Sequence, residues 1–228
     1  MHSMIAEDLL NQMIPPLKVS DTVGKAAKWL EEFHVGQLPV LDNRAYRGLV
    51  TDADLLDFEP AENNNQLLSE LDLGFADVHV QYDQHFYSIM EVAIQNKIQL
   101  VPVLDDQREY VGVVTVSDTL AAFGQQPIAA GQGAIIVLSM EERDYSLATI
   151  SRYVEENNAK ILSAHVAQDE HDPYRIRLTL KVNTPTLTRI VATLERFGYA
   201  ITAQFNGVGE LGENEQERYD GLLRYLSL

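Results

Sequence analysis

Apolar residues recur with helical spacing in the N-terminal half of the chain, and they do so twice. Two sets of four share the spacing i, i+3, i+4, i+7: Val23, Ala26, Ala27 and Leu30, and then Phe86, Ile89, Met90 and Ala93. This spacing is typical of an amphipathic helix with one buried face. Each set is followed by two short apolar segments joined by a polar turn, QLPVLDNRAYRGLVT in one copy and LVPVLDDQREYVGVVT in the other. The pattern predicts a β-α-β-β-α unit that is present twice, with the second strand of each unit buried.

The C-terminal half has a different predicted order of elements. The segment AIIVLSM is an apolar strand, and apolar and polar residues alternate in YRIRLTLKV, which is typical of a half-buried strand. Two further apolar sets have helical spacing: Leu147, Ile150 and Val154, and then Leu187, Ile190, Val191, Leu194 and Phe197. With the strands KILSAHVA and AITAQF, the order over residues 134–206 is β-α-β-β-α-β. This order predicts a ferredoxin-like sandwich with two helices on one face of an antiparallel sheet.

A segment rich in glycine, glutamine and proline, GQQPIAAGQG, separates the two halves and is typical of a linker. The predicted domains are residues 1–124, with repeat 1 at about 4–59 and repeat 2 at 74–124, a linker at 125–133, and a second domain at 134–228. The predicted fold class therefore combines α/β and α+β. Apolar residues in the C-terminal tail are expected to dock on the second domain or on a partner subunit: Leu222, Leu223, Tyr225 and Leu226.

Composition and charge exclude several classes of function. The 228 residues are 46% hydrophobic and 22% charged, as in folded globular proteins, and the absence of cysteine excludes disulfides, thiolate metal sites and cysteine nucleophiles. A net charge of -17 opposes binding to nucleic acid, because phosphate contacts draw on lysine and arginine. No apolar run reaches the length of a membrane span, and the N-terminus does not resemble a signal peptide. We therefore expect a cytoplasmic protein without membrane contact.

Each repeat carries the same short motif, and two copies are far more specific than one. The sequence Pro-Val-Leu-Asp begins at Pro39 and at Pro102, and each copy is followed by a glycine, two apolar residues, a threonine and, three residues later, an aspartate. This doubled pattern resembles the tandem pair of CBS domains, a module named after cystathionine β-synthase, over roughly residues 4–124. The resemblance implies that the two repeats pack through their sheets into one unit.

The threonine and the aspartate of the motif have two interpretations. Thr51 at the end of a strand and Asp54 in the first turn of the next helix can both face one ligand, because exposed helix amides attract an anion and a carboxylate accepts from paired hydroxyls, such as those of a ribose. Alternatively, Asp54 and Asp118 only cap their helices, and Thr51 and Thr115 are ordinary strand residues. The two intact pairs and the family resemblance favour ribose recognition.

The resemblance also implies which residues form the site. In nucleotide-binding CBS pairs the aspartate holds the ribose, the threonine hydroxyl lies close to the ribose or phosphate, and nearby backbone holds the adenine. Ten residues match these roles: Thr51, Asp54, Thr115, Asp118, Gly36, Gln37, Leu38, Gln99, Leu100 and Val101. Several phosphate-binding members have histidine or arginine where this chain has neutral Gln37 and Gln99. No cofactor is required; the possible effectors are AMP, ADP, ATP and S-adenosylmethionine, and we expect AMP or S-adenosylmethionine to bind better than ATP.

The second domain resembles the ACT domain, a regulatory fold that commonly binds amino acids between paired copies. A CBS pair followed by an ACT-like domain is similar to the acetoin-utilisation-type CBS-ACT proteins of bacteria. The ACT effector loop normally brings a glycine or another small residue between the first strand and the first helix, and MEERDYSLATI has no glycine there. Asp144 or Ser146 is expected to cap the helix instead, and we expect no stabilisation by free amino acids.

Other polar clusters do not predict a metal or catalytic site. Possible metal ligands lie at a predicted hairpin turn, which explains them at least as well: His165, Asp169, Glu170, His171 and Asp172. No Ser-His-Asp arrangement, Walker loop or G-x-G-x-x-G motif is present in the sequence. We therefore expect a non-enzymatic sensor that relays binding of a small nucleotide effector through homodimer packing to an unidentified protein target. A ligand-free dimerisation module and an amino-acid sensor are the alternatives.

Overall fold

The chain divides into two units, Met1–Phe123 and Gly124–Leu228, in a computed structural model that describes residues 4–58, 65–126 and 133–207. Within these described ranges, no helix is long and apolar enough to cross a membrane. The tail residues for which docking is predicted lie outside them: Leu222, Leu223, Tyr225 and Leu226.

Both repeats of the first unit have the predicted element order β-α-β-β-α. The elements of repeat 1 are β1 (Leu17–Lys18), α1 (Val23–Glu32), β2 (Gln37–Asp42), β3 (Ala45–Thr51) and α2 (Asp52–Leu55). Those of repeat 2 are β4 (Val80–Gln81), α3 (Phe86–Asn96), β5 (Leu100–Leu104), β6 (Tyr110–Thr115) and α4 (Val116–Gly124). In each three-stranded sheet the first strand runs parallel to the second, and the second pairs with the third in antiparallel fashion.

The segments that lead into the two sheets are exchanged between the repeats. The helical turn Ala6–Leu9 packs in the apolar core of repeat 2, and the Ala6 N–H donates to the Gln84 carbonyl oxygen at 2.9 Å. In the opposite direction, Leu68 is buried in the core of repeat 1, and its N–H donates to the Asp21 carbonyl oxygen at 2.8 Å. Leu49 of β3 is also buried in the core of repeat 2. Each core therefore depends on chain from the other repeat.

The β2–β3 and β5–β6 hairpins meet near their turns. Ala45 and Glu109 form an antiparallel bridge, and the Tyr110 N–H donates to the Arg44 carbonyl oxygen at 3.0 Å. The Arg44 guanidinium lies 2.9 Å from the Glu109 carboxylate. Tyr46 and Tyr110 are largely buried, and this burial raises the pKa of both phenols. Backbone hydrogen bonds and an ion pair thus join the two repeats in addition to their shared cores.

The second unit has the predicted order β-α-β-β-α-β. Its elements are β7 (Ala134–Glu141), α5 (Leu147–Glu156), β8 (Ile161–Gln168), β9 (Arg175–Val182), α6 (Thr188–Arg196) and β10 (Ala200–Phe205). The strands form one antiparallel sheet in the order β10-β7-β9-β8, and alternate residues of β7 and β9 are buried with Ile150 of α5 and Leu194 of α6. Ser146, one of the two predicted caps, accepts from the Thr149 N–H at 3.3 Å and begins α5.

Candidate functional site

Thr51 and Asp54 join the end of β3 to the first turn of α2. The Thr51 hydroxyl donates to Oδ2 of Asp54 at 2.8 Å, and the Thr51 N–H donates to the same oxygen at 2.7 Å. In return, Thr51 Oγ1 accepts from the Asp54 N–H at 3.3 Å, which completes a capping box. The carboxylate is therefore held in one orientation by the turn in which it lies.

Thr115 and Asp118 occupy the same place in repeat 2, at the end of β6 and the start of α4. The Thr115 hydroxyl donates to Oδ2 of Asp118 at 2.7 Å, and Thr115 Oγ1 accepts from the Asp118 N–H at 2.9 Å. A second donor to this oxygen comes from far away in the sequence. It is the side-chain amide nitrogen Nδ2 of Asn11, at 2.7 Å. Asp118 is thus tied to the N-terminal segment as well as to its own turn.

These contacts change the capping interpretation of the motif. The threonine hydroxyls, rather than the aspartates, accept from helix N–H groups. The alternative interpretation, in which the aspartates cap the helices and Thr51 and Thr115 are ordinary strand residues, is therefore wrong in this detail. Asp54 and Asp118 reach back to the threonines through one oxygen, Oδ2. Within the described part of the chain, nothing donates to the other oxygen, Oδ1, of either aspartate. Each carboxylate therefore keeps an acceptor for a further donor.

The predicted adenine-side segments lie beside the Thr–Asp pairs. The Asp52 N–H donates to the Gly36 carbonyl oxygen at 3.1 Å, and the Val116 N–H donates to the Gln99 carbonyl oxygen at 3.0 Å. The Gln99 N–H donates to Oε1 of Gln37 at 3.2 Å, so the two segments meet across the repeats. Of the six residues in these segments, Gly36 and Gln99 are exposed and Gln37 is half-buried. The other three are almost fully buried, backbone included: Leu38, Leu100 and Val101. We call each Thr–Asp pair, with the adjacent segment of its repeat, a half-site.

Asn11 is the residue at these half-sites that sequence reasoning missed. Its N–H donates to the Val113 carbonyl oxygen at 2.8 Å, and its side-chain Oδ1 accepts from the N–H groups of Met13 at 2.8 Å and Ile14 at 3.2 Å. Asn11 belongs to none of the periodic patterns or repeated motifs. Asn11 reaches Asp118 only because the leading segments are exchanged between the repeats. The sequence alone therefore did not predict this contact.

Three cavities in the described part of the chain lie away from the half-sites, and none of the ten predicted residues lines them. A cavity of about 430 Å³ in the first unit is lined by a group that includes Asp42, Arg47 and Asp72. In the second unit, Asp169 accepts from the His171 N–H at 3.0 Å, and this bond lowers the pKa of the Asp169 carboxyl. Among the residues that the structure describes, no group of three or more histidine, aspartate or glutamate side chains could hold a metal ion.

Comparison with protein families identifies the two repeats. The family described as CBS domain matches residues 6–60 and 76–124. These ranges contain both copies of the repeated motif and both Thr–Asp pairs. The tandem CBS pair predicted from the doubled motif is therefore confirmed.

Individual proteins similar to this chain resemble about half of it. An inosine-5'-monophosphate dehydrogenase from Methanocaldococcus jannaschii is 24% identical over 116 residues, which are 50% of this chain, and the chain spans only 23% of that relative's length. A solved CBS domain pair/ACT domain protein from Thermotoga maritima is 21% identical, with a TM-score of 0.46, over 53% of this chain and 96% of that one. CBSX2, solved in complex with AMP, is 24% identical, with a TM-score of 0.46, over 53% and 96%. A Vibrio cholerae protein named for acetoin utilization, AcuB, is 21% identical, with a TM-score of 0.45, over 54% and 91%.

Proposed function

Because residues 6–60 and 76–124 are a tandem pair of CBS domains, we propose that the first unit is a non-enzymatic regulatory sensor of an adenosyl ligand. In this proposal, Asp54 and Asp118 accept hydrogen bonds from ribose hydroxyls. Thr51 and Thr115 orient the two carboxylates. The backbone of residues 36–38 and 99–101 binds the adenine, and the bound ligand biases the packing of the repeats or of subunits.

One observation carries this proposal. Each repeat holds an aspartate with one carboxylate oxygen fixed by a threonine hydroxyl, at 2.8 Å for Asp54 and 2.7 Å for Asp118, and a second oxygen that accepts from no described residue. A ribose presents two vicinal hydroxyls as donors. A carboxylate that is already oriented loses little conformational freedom when it accepts from them, so more of the interaction energy is available for affinity.

We further propose that ligands with few negative charges bind best. Gln37 and Gln99 are neutral at the positions where several phosphate-binding CBS pairs have histidine or arginine. Asp52 adds a carboxylate close to Gly36, where a Cβ would lie 3.2 Å from the Asp52 Oδ2. The net charge of the chain is -17. A triphosphate is repelled by such a field, whereas AMP carries less charge and the sulfonium of S-adenosylmethionine is positive.

Calorimetric titration of the full chain with AMP, S-adenosylmethionine and ATP tests both proposals. Asp54→Ala and Asp118→Ala each remove a charged acceptor, which lowers affinity at the altered half-site by about 1.5–3 kcal/mol, or more than tenfold. Asp83→Ala is the matched control, because Asp83 is an exposed carboxylate of the same unit. Affinity that neither substitution changes would contradict ribose recognition, and tighter binding of ATP would contradict the preference for few charges.

The relay to a protein target is proposed to run through a homodimer. A ligand shifts an equilibrium between two arrangements only if it binds one of them better. Within the described residues, the edge strands β8 and β10 each pair with a single neighbour, and exposed sheet edges favour pairing with another chain. Light scattering is expected to give the mass of a dimer. A monomer over a wide range of concentrations would contradict this arrangement.

A second candidate function, amino-acid sensing by the second unit, is favoured by one cavity. This cavity, of about 320 Å³, is lined by Asp144 and Arg175, whose charges suit the two ends of a zwitterion, and by the rings of Phe197 and Tyr199. As part of this candidate function, we propose that the second unit is a ferredoxin-like ACT domain and that the protein acts in acetoin utilisation. Because its loop lacks a glycine, we still expect no thermal stabilisation by branched-chain or aromatic amino acids. A clear rise in melting temperature with one of them would establish this candidate.

A further inference from the structure

The two half-sites differ in one neighbour, and the difference lies at equivalent positions. Asn11 forms an isolated antiparallel bridge with Val113, and Gly74 forms the same kind of bridge with Leu49. Val113 and Leu49 are themselves equivalent, because each follows the glycine of its motif. The residue beside Asp118 therefore carries an amide side chain, whereas the residue in the equivalent place of repeat 1 has no side chain at all.

Both polar atoms of the Asn11 side chain are engaged. Oδ1 accepts from the N–H groups of Met13 and Ile14, which requires the amide nitrogen to point the other way, toward Asp118. The Nδ2 to Oδ2 distance of 2.7 Å is short, as expected for a hydrogen bond to a charged acceptor. The backbone bond from Asn11 to Val113 anchors the same residue to β6. Asn11 thus donates to Asp118 from a fixed position.

We propose that Asn11 is an internal ligand of the repeat-2 half-site, so that the two half-sites fill in order, repeat 1 first. This inference rests on the proposed binding of an adenosyl ligand. Ribose hydroxyls and the Asn11 amide are donors for the same carboxylate. Oδ2 of each aspartate accepts from two donors, but both donors to Asp54 belong to Thr51 of its own turn, whereas one donor to Asp118 is the side chain of Asn11. A ribose that binds at Asp118 meets the Asn11 side chain there and must displace its amide, whereas the equivalent residue beside Asp54, Gly74, has no side chain to displace. A hydrogen bond to a charged group changes an equilibrium constant by about tenfold or more, so repeat 2 binds the ligand at least about tenfold more weakly than repeat 1.

Filling repeat 2 is therefore coupled to the N-terminal segment. The segment is held on repeat 2 by the N–H of Ala6, which donates to Gln84, and by the Met4 carbonyl, which accepts from Phe86. In the described part of the chain, Asn11 makes the last hydrogen bond from this segment to repeat 2. Met13 is then 79% exposed, and Ile14 packs against the cores of both repeats. A ligand that binds in repeat 2 breaks the hydrogen bond between the Asn11 side chain and Asp118. A ligand that binds in repeat 1 leaves this bond intact.

Paired variants titrated with AMP test the order of filling, because each background keeps one half-site. With Asp54→Ala, only repeat 2 keeps its aspartate, and adding Asn11→Gly is expected to raise AMP affinity about tenfold. Gln12→Gly is the matched control, since Gln12 is an exposed neighbour in the same segment. With Asp118→Ala, adding Gly74→Asn is expected to lower AMP affinity about tenfold. Apart from its two chain neighbours, no described residue has an atom within 4 Å of the new Cβ. An AMP affinity that changes less than twofold in both pairs would overturn the inference.

A measurement without ligand separates failure of this inference from failure of the proposed function. Proton exchange of the Asn11 side-chain amide, followed by NMR on the full chain, is expected to be slowed in the wild type and in Asp54→Ala and to be fast in Asp118→Ala. Fast exchange in the wild type would overturn the internal-ligand role. If the Asn11 amide exchanges slowly but AMP does not bind to the wild type, the proposed function is contradicted, and so is the order of filling that rests on it. If AMP binds and its affinity is unchanged by Asn11→Gly, only this inference is contradicted.

Discussion

The Asp54 carboxylate of repeat 1 is held by the hydroxyl and the N–H of Thr51, whereas the Asp118 carboxylate of repeat 2 is held by the hydroxyl of Thr115 and the amide of Asn11. The two motifs share the spacing of threonine and aspartate, and their local turns form the same contact from the threonine hydroxyl to the aspartate. What differs is supplied by the leading segments, which are exchanged between the repeats. A repeated motif therefore fixes the position of each carboxylate, while a residue distant in the sequence decides which further donor contacts it.

The glycines of the two motifs, Gly48 and Gly112, also differ in what surrounds them. Gly48 has a φ of +146°, and a Cβ at this position would lie 2.5 Å from the Gly74 carbonyl oxygen. A Cβ at Gly112 would lie 2.9 Å from Cδ2 of Leu10, the end of a flexible side chain. Repeat 1 thus requires glycine because of neighbouring backbone and an unusual dihedral angle. Repeat 2 requires it only because of a side chain that can turn away.

The largest expected effect comes from replacing these glycines one at a time. Gly48→Ala is expected to lower the free energy of unfolding by about 3 kcal/mol or more, because strain at positive φ adds to a clash with backbone. Gly112→Ala, the matched variant, is expected to lower it by only about 1 kcal/mol. Urea denaturation of the full chain measures both. Equal losses would show that the two glycines have the same role.

A smaller effect is expected from removing the capping hydroxyls. Thr51→Val and Thr115→Val each leave a helix N–H without its acceptor, so each is expected to lower the free energy of unfolding by about 1 kcal/mol. Thr51→Ser and Thr115→Ser keep the hydroxyl and serve as controls with losses near zero. If the valine variants unfold at the same urea concentration as the serine variants, the hydroxyls do not stabilise the helix starts.

The smallest effect is expected at the hairpin turns. Arg44 forms an ion pair with Glu109 across the repeats, whereas Arg108, which stands in the corresponding turn of repeat 2, forms none of the ion pairs in the described part of the chain. Because the pair is exposed, Arg44→Ala is expected to lower stability by less than about 1 kcal/mol, and this loss shrinks with added salt. Arg108→Ala should show no such salt dependence. A salt-independent loss at Arg44 would mean that packing rather than charge joins the turns.

Periodicity along the sequence was enough to predict the order of elements in both units, although it assigned no residues to the two-residue strands β1 and β4. Helical spacing at Val23–Leu30 and Phe86–Ala93 marked α1 and α3, and alternation in YRIRLTLKV marked the half-buried strand β9. These predictions succeeded because burial of one face is a local property of the sequence. The position of Thr51 at the end of β3, directly before α2, was predictable for the same reason.

The parts that could not be predicted depend on contacts between distant residues. The T-x-x-D spacing is compatible with a capping box, but only the structure shows that Thr51 and not Asp54 caps α2. The burial of Leu49 in the core of the other repeat, and the bond from Asn11 to Asp118, follow from the exchange of leading segments. No local pattern encodes such an exchange, because either repeat could satisfy the same hydrophobic spacing with its own segment.

A crystal structure of the full chain with AMP limited to one molecule per chain tests the proposed half-sites and their order most directly. We expect the ribose hydroxyls within hydrogen-bond distance of the Asp54 carboxylate, the adenine against residues 36–38, and the Asn11 amide still bound to Asp118. AMP bound first at Asp118, or away from both Thr–Asp pairs, would contradict this arrangement.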